Sequence, residues 1–157
     1  MRKRIIAPTR QDILPRDQDN LDVETLAEIE MTSEDAAHPI ESALLPGSGA
    51  GWRAAGPGKQ TIRLLFTQPQ RLRRISVHFV EPDASRTQEY VLRWSPDYGQ
   101  TVREIVRQQW NFNPESASSE SEDYRVDLMG VTVLELIIVP DISGGNAVAS
   151  LARLRLA

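Results

Sequence analysis

The amino-acid sequence predicts an all-β protein of eight antiparallel strands, arranged as a sandwich or a barrel, with one short helix. Apolar and polar residues alternate with a period of two in several segments, which is typical of strands with one face on a core. Turn signals rich in Pro, Gly, Asn and Asp separate these segments. Only residues 38–45 carry helix start and stop signals, and they span two turns at most. An all-β class follows.

The N-terminal segment is predicted to be separate from this pattern. Residues 1–25 show no sustained period and contain Pro8 and Pro15. They are predicted to form a tail or an arm lying on the domain. Residues 26–157 are predicted to form the β-sandwich binding domain.

The strands are predicted from the alternation, element by element. Ile75, Val77 and Phe79 share one face of their segment, for example, and residues 131–139 are nearly all apolar, which suits a central strand covered on both faces. The predicted strands cover residues 26–32, 60–67, 72–80, 87–95, 101–110, 122–128, 132–139 and 148–156.

The lengths of the connections predict where function lies. If consecutive strands are antiparallel, their connections alternate between the two ends of the domain. The short connections 68–71, 96–100 and 129–131 then share one end, whereas the longer ones share the other end. These longer connections are residues 33–59, 81–86, 111–121 and 140–147. Long loops on a rigid scaffold usually carry binding, so one functional rim is expected at that end.

Composition excludes several classes of function. The chain has no cysteine, which removes disulfides, thiolate catalysis and cysteine-bound metal. A net charge of −4 argues against a nucleic-acid surface. No apolar run is long enough to span a membrane, and the basic start is not followed by the apolar stretch of a signal peptide. We expect a cytoplasmic location.

Six residues on or near the predicted rim have side chains that suit a sugar. An aromatic face stacks on the C–H face of a pyranose, while Arg and Asn donate to and accept from its hydroxyls. The candidate ligand-binding residues are Trp52, Arg53, Arg86, Arg107, Trp110 and Asn111. Alternatives remain: Trp52 is favoured as a core plug under the long loop over a sugar platform, Trp110 equally packs, and Arg53 equally pairs with a buried carboxylate.

No catalytic constellation stands out in the sequence. His38 and His78 lie far apart, and no nucleophile has the context of a catalytic serine. The acidic run at residues 115–123 lacks the spacing and the glycine of a calcium loop, so a flexible solvated loop is expected there. The sequence therefore predicts neither an enzyme nor a metal site.

The order of several segments resembles a known family. Residues 29–34, 38–41, 51–54 and 60–64, followed by a closing strand at residues 149–156, are similar in pattern to a discoidin, or coagulation-factor type C, domain. This module belongs to the galactose-binding-like superfamily. The likeness lies in order and pattern rather than in one diagnostic motif.

The resemblance covers roughly residues 27–156 and implies an eight-stranded jelly-roll sandwich. It also implies binding of carbohydrate, lipid head groups or protein through loops at one end. Many relatives hold a structural calcium near the long first loop with carbonyl oxygens and acidic side chains. Residues 44–51 here contain no acid or Asn, and Arg153 stands where the last strand often offers a Glu ligand. We therefore expect no calcium and no other cofactor.

The leading functional hypothesis is a non-catalytic, monomeric module that binds a galactose-like saccharide at the rim. The alternative is a protein–protein interaction or scaffold subunit with no sugar ligand.

Overall fold

The computed structural model describes residues 20–47 and 49–157, and it is almost entirely β structure. Every strand pair is antiparallel. The elements, in chain order, are α1 (Val23–Leu26), β1 (Ala27–Met31), α2 (Glu41–Leu44), β2 (Trp52–Pro57), β3 (Gln60–Val80), β4 (Arg86–Ser95), β5 (Arg103–Phe112), β6 (Ser119–Val139), β7 (Val148–Leu151) and β8 (Arg153–Leu156). The predicted all-β class is confirmed. In the described part of the chain, no helix has the length and apolarity needed to cross a membrane.

Residues 20–25 pack on the domain rather than leading away from it. Leu21 N donates to Leu156 O at 2.8 Å, and Val23 is buried in the core. The rest of the predicted arm, residues 1–19, lies outside the described residues.

Two strands are much longer than predicted. The predicted turns at residues 68–71 and 129–131 are bends within β3 and β6, each of which is 21 residues long. The two strands stay paired with each other on both sides of the bends, through register shifts between Leu65 and Arg74. Since the partner strand bends with it, each strand changes direction and the pairing resumes beyond the bend in a shifted register.

Other boundaries also differ from the prediction. The predicted last strand divides at Ala152 into β7 and β8, and β7 pairs with β2, which lies inside the predicted loop 33–59. The predicted helix at residues 38–45 is only the single turn α2.

The bent β3–β6 ribbon builds both layers of the sandwich. Its first half, where Leu64 pairs with Leu134, joins β1, β4 and β5 in a five-stranded layer of order β1-β3-β6-β4-β5. Its second half joins β8 in a three-stranded layer, where Val77 pairs with Leu154. The layers face each other: the ring centroids of Phe79 and Tyr90 are 4.9 Å apart.

Alternate residues of both layers fill the core between them. The large, fully buried side chains include Ile62, Leu64, Phe66, Leu72, Phe79, Leu92, Leu136 and Ile138. Burying each such side chain contributes roughly 1.5–3 kcal/mol of transfer free energy.

The two ends of the sandwich differ as the connections predict. At the long-loop end, Glu81 N donates to Ser118 O at 2.7 Å and Gly58 N donates to Ala147 O at 3.2 Å, so the four long connections are joined in two pairs. At the opposite end, called here the bend end, Tyr98 N donates to Thr132 Oγ1 at 2.8 Å beside the bend of β6. The predicted polarity holds because a folded-over ribbon reverses direction as a turn would.

Candidate functional site

Trp52 lies inside the domain. Its side chain is 1 % exposed, and its Nε1 donates to Ser33 O at 3.1 Å. The indole thus plugs the core beneath the long loop and ties β2 to the end of β1. It has no face open to a ligand, so of the two interpretations of this residue the structural one is correct.

Arg86 is also buried, with a side chain 2 % exposed. Its Nε donates to Glu81 Oε1 at 2.6 Å and its Nη1 to Pro140 O at 2.7 Å. Its guanidinium carbon lies 4.8 Å from the centroid of the Phe112 ring. Arg86 therefore joins three connections of the long-loop end, and its prediction as a ligand residue is corrected to a scaffold role.

Glu81 is held ionised by this contact. Burial alone would raise its pKa, but the hydrogen bonds from Arg86 and from the Asp83 amide outweigh burial and lower it. The pair is charge-compensated in a half-buried position, which makes it a fixed part of the rim.

Arg107 lies in the middle of β5, opposite Val91, rather than at the rim. Its Nη1 donates to Glu89 Oε1 at 2.6 Å and its Nη2 to Glu104 Oε1 at 2.9 Å. The side chain is exposed on the outer face of the five-stranded layer. It belongs to a surface ion-pair network away from the loops.

Trp110 and Asn111 point to opposite sides of β5. Trp110 is half-buried and packs against the core, while Asn111 is exposed. Asn111 Oδ1 accepts from Thr87 Oγ1 at 2.6 Å, which leaves the amide nitrogen available to donate. Asn111 is thus presented to solvent at the long-loop end.

Trp110 and its cross-strand neighbour Gln88 carry buried polar atoms, and so does Glu120, which pairs with Phe79 at the start of β6. Gln88 Nε2, Trp110 Nε1 and both Glu120 carboxylate oxygens have no hydrogen-bond partner within residues 20–47 and 49–157. These buried polar atoms were not predicted, because burial is set by strands distant in sequence.

Glu120 is a buried carboxylate whose pKa is raised. Burial, helped by the neighbouring charge of Glu122, raises its pKa to about 7. The predicted solvated loop at residues 115–123 is therefore wrong for residues 119–123, which form the start of β6 with Glu120 facing the core.

Arg53 is exposed on β2, beside Ser150 of β7. Its main chain is held by the loop: Asp35 N donates to Arg53 O at 2.8 Å, and Arg53 N donates to His38 O at 3.2 Å. Arg53 stands on the two-stranded sheet and Asn111 on the five-stranded layer. The six predicted residues are therefore not gathered into one site.

The carbonyl oxygens at the C-terminal end of α2 accept hydrogen bonds from the guanidinium of Arg155. Arg155 Nη1 donates to Ala43 O at 2.8 Å and Arg155 Nη2 donates to Leu45 O at 3.0 Å. A guanidinium at this position opposes a divalent cation, and within residues 20–47 and 49–157 no three acidic, His or Cys side chains group as metal ligands. The donor set here does not fit calcium.

A sequence comparison finds neither a matching family model nor a matching curated protein. Solved structures do match: a family 32 carbohydrate-binding module from a family 31 glycoside hydrolase of Clostridium perfringens has a TM-score of 0.61 and 19 % identity, covering 87 % of this chain and 93 % of that chain. This chain shares the jelly-roll fold of that module.

Two further jelly-roll modules show the same correspondence. The family 32 module of C. perfringens NanJ, solved in complex with galactose, has a TM-score of 0.58 and 14 % identity over 87 % of this chain and 97 % of that chain. A pectin-binding carbohydrate-binding module has a TM-score of 0.60 and 12 % identity over 83 % of this chain and 89 % of that chain. The jelly-roll sandwich expected from the sequence is confirmed.

Proposed function

We propose that this protein is a non-catalytic carbohydrate-binding module that holds a saccharide at the long-loop end. The supporting observation is that the described domain matches such modules over nearly their whole length, and one of them was solved with galactose bound. A galactose-like sugar is the ligand we propose for this chain.

The chemistry of the long-loop end is compatible with weak sugar binding. Arg53 and Asn111 keep exposed N–H donors, while Trp52 and Arg86 hold the loops beneath them in place. A few hydrogen bonds to a hydrated sugar contribute little net free energy. The expected dissociation constant is on the order of 10⁻³–10⁻⁴ M.

The contact between His78 and Ser121 offers a catalytic alternative. His78 Nδ1 and Ser121 Oγ lie 2.5 Å apart on the outer face of the three-stranded layer. Burial and then the charge of Arg153 lower the pKa of His78, which opposes the imidazolium that a general base must become. The proposal therefore assigns no catalysis to this pair.

The test is an ¹H–¹⁵N NMR titration of the full chain with D-galactose, with Arg53→Ala and Asn111→Ala compared to wild type. We expect saturable shifts at the long-loop end, and a roughly tenfold weaker affinity, equivalent to about 1.4 kcal/mol, in the variant that removes the donor in contact with the sugar. Arg107→Ala is the matched control, since it removes an exposed arginine outside this end, and it should bind as wild type. Absence of any shift, together with co-purification of a protein partner, would favour the interaction-subunit alternative.

A further inference from the structure

Tyr98 is the most exposed aromatic side chain among residues 20–47 and 49–157. It is 65 % exposed and lies at the bend end, opposite the long-loop end. Trp52 and Phe112 at the long-loop end are buried. An aromatic ring available for stacking on a sugar is therefore presented at the end that the sequence predicts to be sealed by tight turns.

The loop that carries Tyr98 is held firmly by hydrogen bonds. Ser95 Oγ donates to Asp97 Oδ1 at 2.7 Å and accepts from Gly99 N at 2.8 Å, while Thr101 N donates to Asp97 Oδ1 at 2.7 Å. Thr132 Oγ1 accepts from Tyr98 N and donates to Ser95 O at 2.9 Å. The ring is thus presented from a pre-organised backbone.

The backbone of Tyr98 is in a conformation that L-residues rarely adopt. Its φ is +58°, in the left-handed region, and it is the one described non-glycine residue with a positive φ. A bulky aromatic at such a position is strained where glycine would not be. Strained residues persist where surrounding contacts over-determine them, and they cluster at binding sites.

A groove of about 330 Å³ lies beside Tyr98 on the outer face of the five-stranded layer. Such a volume is at the lower end of the range for small-ligand sites. Its lining includes apolar Leu65, Val102 and Val133. It also includes the charged side chains of Glu30, Arg63, Arg93 and Glu135.

The charged side chains of the groove form a row of alternating charges that crosses neighbouring strands in register. Glu30 pairs with Arg63, Arg63 with Glu135, and Glu135 with Arg93. Arg63 Nε donates to Glu135 Oε2 at 2.6 Å, and Arg93 Nε donates to Glu135 Oε1 at 2.7 Å. Each guanidinium has five N–H donors, more than these bonds use, so both have donors left for a ligand.

Glu135 remains ionised in this row. Burial would raise its pKa, but the hydrogen bonds from Arg63 and Arg93 outweigh burial and lower it. With Glu30, the groove holds two carboxylates against two guanidiniums. The local charge is balanced, so the groove offers both donors and acceptors and favours neither an anion nor a cation.

We propose that this groove is a second binding site, separate from the long-loop end, and that it takes a neutral pyranose saccharide. The C–H face of the sugar packs on the Tyr98 ring, and its hydroxyls bond to Arg63, Arg93 and Glu30. Stacking on a fixed aromatic beside fixed polar groups is the chemistry that this ligand class requires. The proposal does not depend on binding at the long-loop end.

The test uses the full chain in ¹H–¹⁵N NMR titrations with D-galactose, N-acetyl-D-galactosamine and sodium D-galacturonate. We expect saturable shifts for Tyr98, Gly99 and Val102 with the two neutral sugars. Tyr98→Gly should weaken their binding at least tenfold without lowering the melting temperature, because glycine accepts the positive φ. Tyr98→Phe keeps the stacking face and should bind nearly as wild type.

Met129→Ala is the control for a general loss of exposed apolar surface, since Met129 is exposed but does not line the groove, and it should bind as wild type. Three results would overturn the proposal: no shift at the groove with either neutral sugar at tens of millimolar, unchanged affinity in Tyr98→Gly, or a galacturonate affinity that exceeds the neutral ones and disappears in salt. Asn111→Ala separates the two sites, because it should leave the groove shifts intact whatever happens at the long-loop end.

Discussion

The guanidinium of Arg155 lies 2.8 Å from the carbonyl oxygen of Ala43 and joins the last strand to the end of α2. The final carbonyls of a helix lack partners within it, and a cation is favourable there. Arg155 meets this need for Ala43, and through its Nη2 it also holds Leu45. The guanidinium of Arg155 thus holds the long loop in place.

Replacing Arg155 by Met is expected to lower the free energy of unfolding by about 2–4 kcal/mol, because hydrogen bonds to a charged donor are lost and the carbonyls remain. Urea unfolding measures the change. Arg153→Met is the matched control on the same strand, since Arg153 is exposed, and it should cost less than about 0.5 kcal/mol. Neither EDTA nor calcium chloride should move the wild-type melting temperature; a rise with calcium would contradict this account.

Glu120 is expected to make stability depend on pH. Its pKa rises from 4.5 to about 7 on folding, so the folded state binds this proton more tightly than the unfolded chain. The contribution of Glu120 to the free energy of unfolding is therefore most favourable below pH 4.5 and is lost as the pH rises to about 7. At 1.36 kcal/mol per pKa unit, the loss is about 3 kcal/mol.

The variant Glu120→Gln removes the titrating group while nearly keeping the shape. It should be more stable than wild type at about pH 8, and the advantage should shrink towards about pH 5. Urea midpoints at the two pH values give the comparison. Glu115→Gln, on the exposed loop, should show no such trend; an advantage for Glu120→Gln that is equal at both pH values would show that ionisation is not the cause.

Trp110 is expected to act through packing. Its indole packs on the core, so Trp110→Ala should lower the free energy of unfolding by about 2–4 kcal/mol. Trp110→Phe keeps an aromatic ring and removes the unpartnered Nε1–H, so it should cost clearly less. If Trp110→Ala instead retains wild-type stability in urea and loses only sugar binding, the ring is a ligand contact.

Gly51 allows the long loop to return beside β7. Its φ is +91°, and a Cβ there would lie 2.5 Å from Leu151 O. Gly51→Ala should therefore destabilise the domain by about 2 kcal/mol or more, since both the conformation and a backbone contact resist it. Gly56→Ala, where a Cβ meets nothing within 4 Å, is the control and should be nearly neutral in thermal unfolding.

Local pattern was enough to predict most of the strands and the polarity of the ends. The alternation of Ile75, Val77 and Phe79 placed all three in the core, since a period of two leaves a strand one face to bury. Chain spacing predicted which connections share an end, because antiparallel neighbours alternate in direction. Pro69 and Gly130, however, marked bends within two long strands rather than turns between separate strands, since β3 and β6 pair on both sides of them and neither residue reveals its partner strand.

The candidate site depended on contacts that no local pattern encodes. Arg86 and Arg53 look alike as loop-end arginines, yet one is enclosed by Glu81, Pro140 and Phe112 and the other faces solvent. Tyr98 was missed because a five-residue connection predicted a closed turn, whereas the groove beside it is built from four strands. Residue type and spacing follow from the chain alone; burial, pairing and cavity shape are set by segments distant in sequence, and those decide which side chains can meet a ligand.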